Sequence, residues 1–291
     1  VVDILVNIGA NVKIASLDKN KVSDKAEHIV VDLCNFELCK SISKDMDCVF
    51  HVSGIKGSVK VTKEKPASFF VPLLQMNTNM LEAARINKVS KVVYTSSIGA
   101  YSSADVFIEG QNEDGPPMDE FPGMAKRIAE QQIWAYKIQY GLNNFAVVRP
   151  ANVFGMGDSF DPISAMVIPS LMHRIHSGED PVVIWGDGSA IRDFAYSKDV
   201  AEGIILALYH GTNSKYVNLG SGIGYSIKEL VETLRQFIDF NYIFDSTKSS
   251  GYPKRVMDIS LARSTIQYNP TTSLLDGCKK TWAWFISNSK E

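Results

Sequence analysis

Short apolar, β-branched runs alternate along the chain with longer segments in which apolar residues recur at helical spacing. "VKIASLD" (12–18), "HIVVDL" (28–33), "CVFHVSG" (48–54), "KVVYTSS" (91–97) and "NFAVVRP" (144–150) each predict a strand. "LQMNTNMLEAARIN" (74–87) and "AKRIAEQQIWAYKIQYG" (125–141) predict helices, the second closed by Gly141, where a left-handed cap belongs. Strands alternating with helices of this length build βαβ units. The expected fold is therefore α/β, a doubly wound, Rossmann-like parallel sheet with helices on its faces.

In such sheets ligands gather at the carboxyl ends of the strands. That rule puts Asp18, Asp32, His51 to Gly54, Ser96, Ser97 and Pro150 at one mouth. The opening stretch "VVDILVNIGANVKIASLD" reads as a helix running into a strand. A central first strand and a glycine-rich, phosphate-cradling turn are thus expected upstream of Val1, over roughly 15 to 25 residues. The reading as a dinucleotide site must rest on other residues. Asp18 ends a strand where a carboxylate can accept from both ribose hydroxyls and repel a 2′-phosphate, which favours NAD over NADP. A turn aspartate in "LDKN" is the plain alternative, and Lys19 and Lys21 leave NADP open. Asp32 with Leu33 suits the adenine edge, although a strand-end aspartate is usually a cap. Val52, Ser53, Gly54, Ser96 and Pro150 complete the expected cofactor contacts.

Composition narrows the function further. The chain has 291 residues, 45% hydrophobic and 21% charged, with a formal net charge of −2. Such a chain buries a sizeable core and lacks the basic stripe that nucleic-acid binding demands. No apolar run approaches a membrane span and no basic-then-apolar leader opens the sequence, so no membrane partner and a cytoplasmic setting are expected. Cys34, Cys39, Cys48 and Cys278 show no Cys-x-x-Cys spacing and read as free thiols. His173 and His176 lie three apart on an expected helix, but no third ligand accompanies them, so no metal is expected.

Eight segments in order carry a resemblance: "FHVSGIKG" (50–57), "NTNMLEAARIN" (77–87), "VVYTSSIGAYS" (92–102), "RPANVFG" (149–155), "VIPSLMHRIHSG" (167–178), "VIWGDGSAIRDFAYSKDVAEG" (183–203), "GYPKRVMDIS" (251–260) and "TSLLDGCKKTWAWF" (272–285). Together they resemble the extended short-chain dehydrogenases that act on nucleotide sugars, in the branch of GDP-fucose synthase and GDP-mannose 3,5-epimerase. The resemblance implies a dinucleotide-binding domain over 1–150 and, over 151–291, mainly a smaller C-terminal substrate-binding domain, with some segments returning to the first. It also implies NAD, a GDP-sugar substrate and a homodimer packed through two long helices.

Carried over by position, the resemblance makes Ser97 the hydroxyl that bonds the reacting sugar oxygen, and Lys126 the lysine on the nicotinamide ribose. Asn152 would order the loop beside nicotinamide and substrate. Arg174, Arg192 and Arg255 would approach the diphosphate, and Trp185 would flank the nucleotide. Arginine suits that task because its planar fork bonds two phosphate oxygens at once. The departures are as informative. The family's catalytic tyrosine belongs four residues before Lys126, and Pro122 stands there. The cysteine and histidine of the epimerising members are replaced by Ile98 and Met166. None of these three can exchange a proton, so the expected reaction is NAD-dependent oxidation of a GDP-linked sugar at C4 without epimerisation, GDP-manno-heptose being the leading substrate. Two alternatives stay open: an NADPH-dependent GDP-4-keto-sugar reductase, and an inactive dinucleotide-binding regulator.

Overall fold

The structure is a computed structural model that describes residues 1–19, 23–55, 57, 59–213 and 215–289. The chain begins with α1 (Val2–Asn7), β1 (Lys13–Ser16), β2 (Glu27–Val30), α2 (Phe36–Ser43), β3 (Cys48–His51) and α3 (Val59–Glu64). It continues through α4 (Pro66–Ile86), β4 (Lys91–Thr95), β5 (Val106–Phe107), α5 (Glu120–Tyr140), β6 (Phe145–Pro150) and β7 (Asn152–Phe154). Then come α6 (Val167–His176), β8 (Val182–Trp185), β9 (Ile191–Tyr196), α7 (Ser197–His210), β10 (Tyr216–Leu219) and β11 (Gly224–Ser226). The last elements are α8 (Ile227–Arg235), β12 (Tyr242–Asp245), β13 (Lys254–Met257), α9 (Ser260–Ile266) and α10 (Leu274–Asn288).

Strands β10, β6, β4 and β3 form one parallel sheet in that order, and β1 with β2 a second parallel pair. All five expected strands therefore exist. Most stop before the expected boundary: residues 17–18, 31–33, 52–54 and 96–97 lie in the connections that leave the strands. Among the described residues β1 and β3 each end a sheet. The strand expected upstream of Val1 lies outside them.

The period of two explains why helices cover both faces of the main sheet. Val92 and Tyr94 of β4, with Phe145 and Val147 of β6, pack against Leu81 and Ala84 of α4 and Ala129 and Ile133 of α5. Their strand neighbours Val93, Ala146 and Val148 point the other way, onto Val200, Ile204 and Ala207 of α7. The second architectural unit is an open sheet in the order β11, β9, β13, β5, with β7 also paired to β9, while β12 pairs with β8. Its core gathers Ile168, Leu171 and Met172 of α6, Val182 and Ile184 of β8, Leu230, Val231 and Leu234 of α8, and Phe285 of α10. The division is not a simple cut in sequence. β10 returns to the first sheet, and β5 from the N-terminal half joins the second. Helix α5 ends at Gly141 with φ 68°, the left-handed cap read from the sequence. Among the described residues no helix is long and apolar enough to cross a membrane.

A buried ion pair is set into this core. Arg149 of β6 is fully buried, and its Nε and Nη2 donate to Glu130 of α5 at 2.8 and 2.5 Å. The Ser96 hydroxyl, just past β4, donates to the same carboxylate. Nη1 lies 2.8 Å from Glu113 Oε1, an ion contact without the alignment of a hydrogen bond. The rings of Tyr101 and Tyr216 face the guanidinium at 4.2 and 3.5 Å. Burial alone would lower the guanidinium pKa, but the bonds and charge of Glu130 outweigh it and leave it raised. Breaking one side of such a pair strands a charge in the core. Arg149→Met or Glu130→Gln should each cost about 3–5 kcal/mol in denaturant unfolding, whereas replacing both by apolar residues should cost well under the sum. Additive losses would show that the two do not act as a pair.

Candidate active site

At the carboxyl end of β3 the chain leaves the sheet through Val52, Ser53 and Gly54, with Val52 and Gly54 exposed. Lys126 of α5 reaches this corner: a Cβ placed on Gly54 would lie 3.9 Å from its Nζ. The ammonium donates to the Thr95 carbonyl at 2.7 Å and stands 5.2 Å over the Tyr94 ring. The side chain as a whole is only half-buried, yet its charged tip is enclosed. Burial lowers it to about 8, against the pull of Glu130. Beneath it, His51 is buried with Nε2 2.9 Å from Asn77 Oδ1. Burial, and then the Lys126 charge, push this imidazole down to about 4. It is therefore neutral near pH 7, and Nε2 is assigned as the donor because Oδ1 can only accept. Asn77 Nδ2, Thr95 Oγ1 and the Tyr94 hydroxyl are buried beside this pair without a partner among the described residues.

The strand-end residues differ in how free they are. The Asp18 carboxylate is exposed, and no described hydrogen bond or ion pair holds it; its backbone alone meets Ser16 Oγ, the N–H donating at 3.0 Å and the carbonyl accepting at 3.5 Å. Asp32 accepts from the Cys34 N–H at 2.8 Å, so one oxygen caps its own turn. Leu33 turns its side chain into the core under α2 and α4, and its carbonyl accepts from Asn79 at 3.1 Å. The Ser96 hydroxyl is likewise spent inward on Glu130. Pro150 closes β6 and is buried, while Asn152 Nδ2 donates to the Asp193 carbonyl at 2.9 Å and ties β7 to β9.

Ser97 caps a single 3-10 turn (Ile98–Ala100), its Oγ accepting from Gly99 N–H at 3.0 Å. A hydroxyl so engaged still has its proton to donate. Against this turn lies the start of α5, with Pro122 in the first helical turn, where its fixed φ and missing N–H cost little. The two segments meet backbone to backbone. A Cβ on Gly123 would fall 2.2 Å from the Gly99 carbonyl oxygen, and one on Gly99 would fall 2.2 Å from Asp119 Oδ2. Ile98 is buried and apolar, and Met166 is the exposed residue preceding α6. Tyr101, the phenol nearest in sequence, is fully buried and donates to Asn218 Oδ1 at 2.8 Å.

The arginines fall into two sets. Arg174 bonds Glu179 through Nε at 2.7 Å and the Val183 carbonyl at 2.6 Å, and it holds the Glu179 carboxyl below its usual range. Arg192 and Arg255 are instead direct neighbours across the β9–β13 pairing. Arg192 donates only to the Ile191 and Ser250 carbonyls among the described residues. Burial and then the Arg255 charge lower it to about 10. Arg255 stacks on Tyr252 at 4.3 Å and approaches Asp119 at 3.5 Å, with its Nε buried and without a partner among the described residues. Like charges opposed across strands repel, so this is a place for an anion. Trp185 stands at the end of β8, 61% exposed. Sequence reasoning passed over Arg149, Glu130, Asn77 and Asp119; an arginine inside "VVRP" was the one visible signal.

The enclosed ammonium has a measurable signature. Its folded value, about 8, is below the ordinary 10.5. The charged form is therefore disfavoured by folding, a cost present in full below about pH 8 and relieved as pH rises toward 10.5. Competitive acylation read by mass spectrometry should give Lys126 a midpoint near pH 8 in the folded chain. A midpoint at the ordinary lysine value would contradict the enclosure.

Residues 3–220 match the profile of the NAD dependent epimerase/dehydratase family. The chain is 31% identical over 242 residues to a putative GDP-L-fucose synthase 2 of Arabidopsis thaliana, covering 80% of this chain and 73% of that one. It is 28% identical over 291 residues to a GDP-L-fucose synthase of Sinorhizobium fredii, covering 94% and 92%. Its fold matches a UDP-glucose 4-epimerase of Thermotoga maritima, solved with UDP-glucose, at a TM-score of 0.86 and 26% identity over 98% of this chain and 94% of that one. The profile and the relatives agree over most of the length: the chain belongs to the NAD dependent epimerase/dehydratase family, and its cofactor is NAD.

Proposed function

We propose that the protein oxidises a GDP-linked sugar at C4 to the 4-keto sugar without inverting the neighbouring carbons, with GDP-manno-heptose as the leading substrate. One observation carries this reading. Ser97 and Lys126 lie beside the β4 and β3 ends, and by the resemblance Pro122, Ile98 and Met166 stand where the family's proton-exchanging residues belong. Positioning for hydride transfer is retained, and acid–base chemistry on adjacent carbons is not.

NAD, when bound, supplies the hydride acceptor. The mouth suits it: the unengaged Asp18 carboxylate would hold the adenosine ribose diol, the open turn Val52–Gly54 would lie along the dinucleotide, and Lys126 would bond the nicotinamide ribose. Ser97 would donate to the sugar oxygen and hold it at transfer distance. Arg192 and Arg255, with two partly unfilled forks, are the residues assigned to the diphosphate, and the exposed Trp185 would flank the nucleotide. A reductive reading with NADPH draws on the relatives named GDP-L-fucose synthase and on Lys19, exposed beside Asp18; Lys21 lies outside the described residues. We also assign the protein a homodimeric state through α4 and α5. These helices pack together and leave Val71, Ile128, Trp134 and Ile138 exposed, the last at 71%. Ile138→Glu should shift the mass in solution from dimer to monomer, and a monomeric wild type would end that assignment.

Assay follows from the roles. Full-length protein is offered GDP-mannose, its 4-keto-6-deoxy derivative and GDP-manno-heptose with NAD or NADPH, and products are read by mass and NMR. The expected result is a 4-keto product with C4 deuterium transferred to NAD. Ser97→Ala should lower turnover about 10²-fold, and Arg192→Met should weaken GDP binding about 10-fold or more. Consumption of the 4-keto sugar with NADPH alone would establish the reductase. No turnover of any of the three, with Ser97→Ala unchanged in every property, would leave a non-catalytic binder.

A further inference from the structure

We propose that Asp119 takes the proton released by the substrate alcohol, in place of the phenol that Pro122 displaces; the inference rests on the C4-oxidation reading above. Asp119 is the N-cap residue of α5. It lies three residues before Pro122, as the non-helical residue that opens α5.

An aspartate at an N-cap ordinarily bonds the free N–H groups of the first turn. This one makes no side-chain cap bond. Its carboxylate turns instead to two features of the site. Oδ2 is in contact with the Gly99 backbone, close enough that a Cβ there would fall 2.2 Å away, and the Gly99 N–H is the group that bonds Ser97 Oγ at 3.0 Å. Oδ1 lies 3.5 Å from Arg255 Nη1. The carboxylate therefore spans the gap between the turn that would hold the reacting hydroxyl and the arginine pair that would hold the diphosphate. It is 44% exposed, so a proton received there can pass on to water.

The placement is rigid. Asp119 N–H donates to the Gly99 carbonyl at 3.2 Å, Gly123 N–H donates to the Asp119 carbonyl at 2.8 Å, and Gly123 leaves no space for a side chain between the two segments. The charges that face the carboxylate come from β13 as Arg255, with Arg192 behind it on β9; Tyr252 approaches the preceding Met118 carbonyl at 3.5 Å. The Ser97–Ala100 turn brings no charge. Lys126, on the same helix, spends its ammonium on the Thr95 carbonyl, and in that cationic form it has no site to accept a proton.

The step balances simply. The hydroxyl O–H bond breaks with its proton going to Asp119, the C4–H electron pair leaves with its hydrogen as hydride to NAD, and the oxygen keeps the electrons that become the second bond of C=O. The carboxylic acid then returns its proton to water.

Asp119→Asn tests this, since the amide keeps the size and the oxygen that faces Arg255 but cannot take a proton. Turnover of the GDP-linked sugar should fall about 10²–10⁴-fold, with NAD and GDP affinities by calorimetry staying within about threefold of wild type. In Asp119→Ala, added formate should restore turnover by about tenfold or more, because a small carboxylate can occupy the space left behind. Wild-type turnover in Asp119→Asn, or a loss matched by an equal loss of GDP affinity, overturns the assignment and leaves Asp119 as a bridge to Arg255. A wild-type protein that binds both ligands yet oxidises no GDP-linked sugar overturns the C4-oxidation reading, and this step with it. That outcome is recognised in the wild type alone.

Discussion

The site hangs on a charge in the wrong place. A guanidinium on a central strand is far from water, and it is tolerable only because Glu130 meets it with two aligned bonds and two tyrosine rings cover its faces. The consequence is geometric. Glu130 is one turn beyond Lys126 on α5, Arg149 is on β6, and Ser96 immediately precedes Ser97 after β4. One carboxylate thus fixes the helix that bears the lysine to the two strands whose ends frame the mouth. Apolar packing between α5 and the sheet could slide at little cost, whereas a bidentate ion pair cannot. The positions of Lys126 and Ser97 relative to each other follow from that pair.

The start of α5 is governed by a different constraint, the absence of side chains. Gly99 and Gly123 let two backbones touch, and any Cβ at either position would meet backbone or a carboxylate at 2.2 Å. Helix and turn are therefore held at both ends of the segment that matters. Glu130 acts through charge at one end and the glycines through contact at the other. Pro122 immediately precedes Gly123, in a first helical turn whose shape it suits.

Much of the architecture was legible from the chain because burial on both faces writes itself as unbroken apolar strands. Gly141 announced the end of α5 for an equally local reason. Helix α4 begins at Pro66, well before its apolar spacing becomes regular at 74, since its first turns pack on only part of their surface. Ser97, Lys126 and the cross-strand arginines could be named from resemblance, but their working partners could not. Glu130 is 19 residues from Arg149, and Asp119 is 136 from Arg255. No periodicity reports contacts at that range. Strand-end residues misled in a smaller way: Ser96 and Leu33 belong to the mouth by sequence, yet each turns its side chain inward, to Glu130 and to the core under α2 and α4.

The pairing of Arg192 with Arg255 has a meaning for the life of the protein as well as for its chemistry. Two cations held side by side on adjoining strands weigh against the folded state. Any polyanion that settles between them relieves that repulsion and adds its own binding free energy, which grows with the logarithm of its concentration. The sheet that carries β9 and β13 would then be firmer with such an anion bound than without it. Opening of that sheet, and with it attack by proteases on the opened chain, would be rarer in the anion-bound protein.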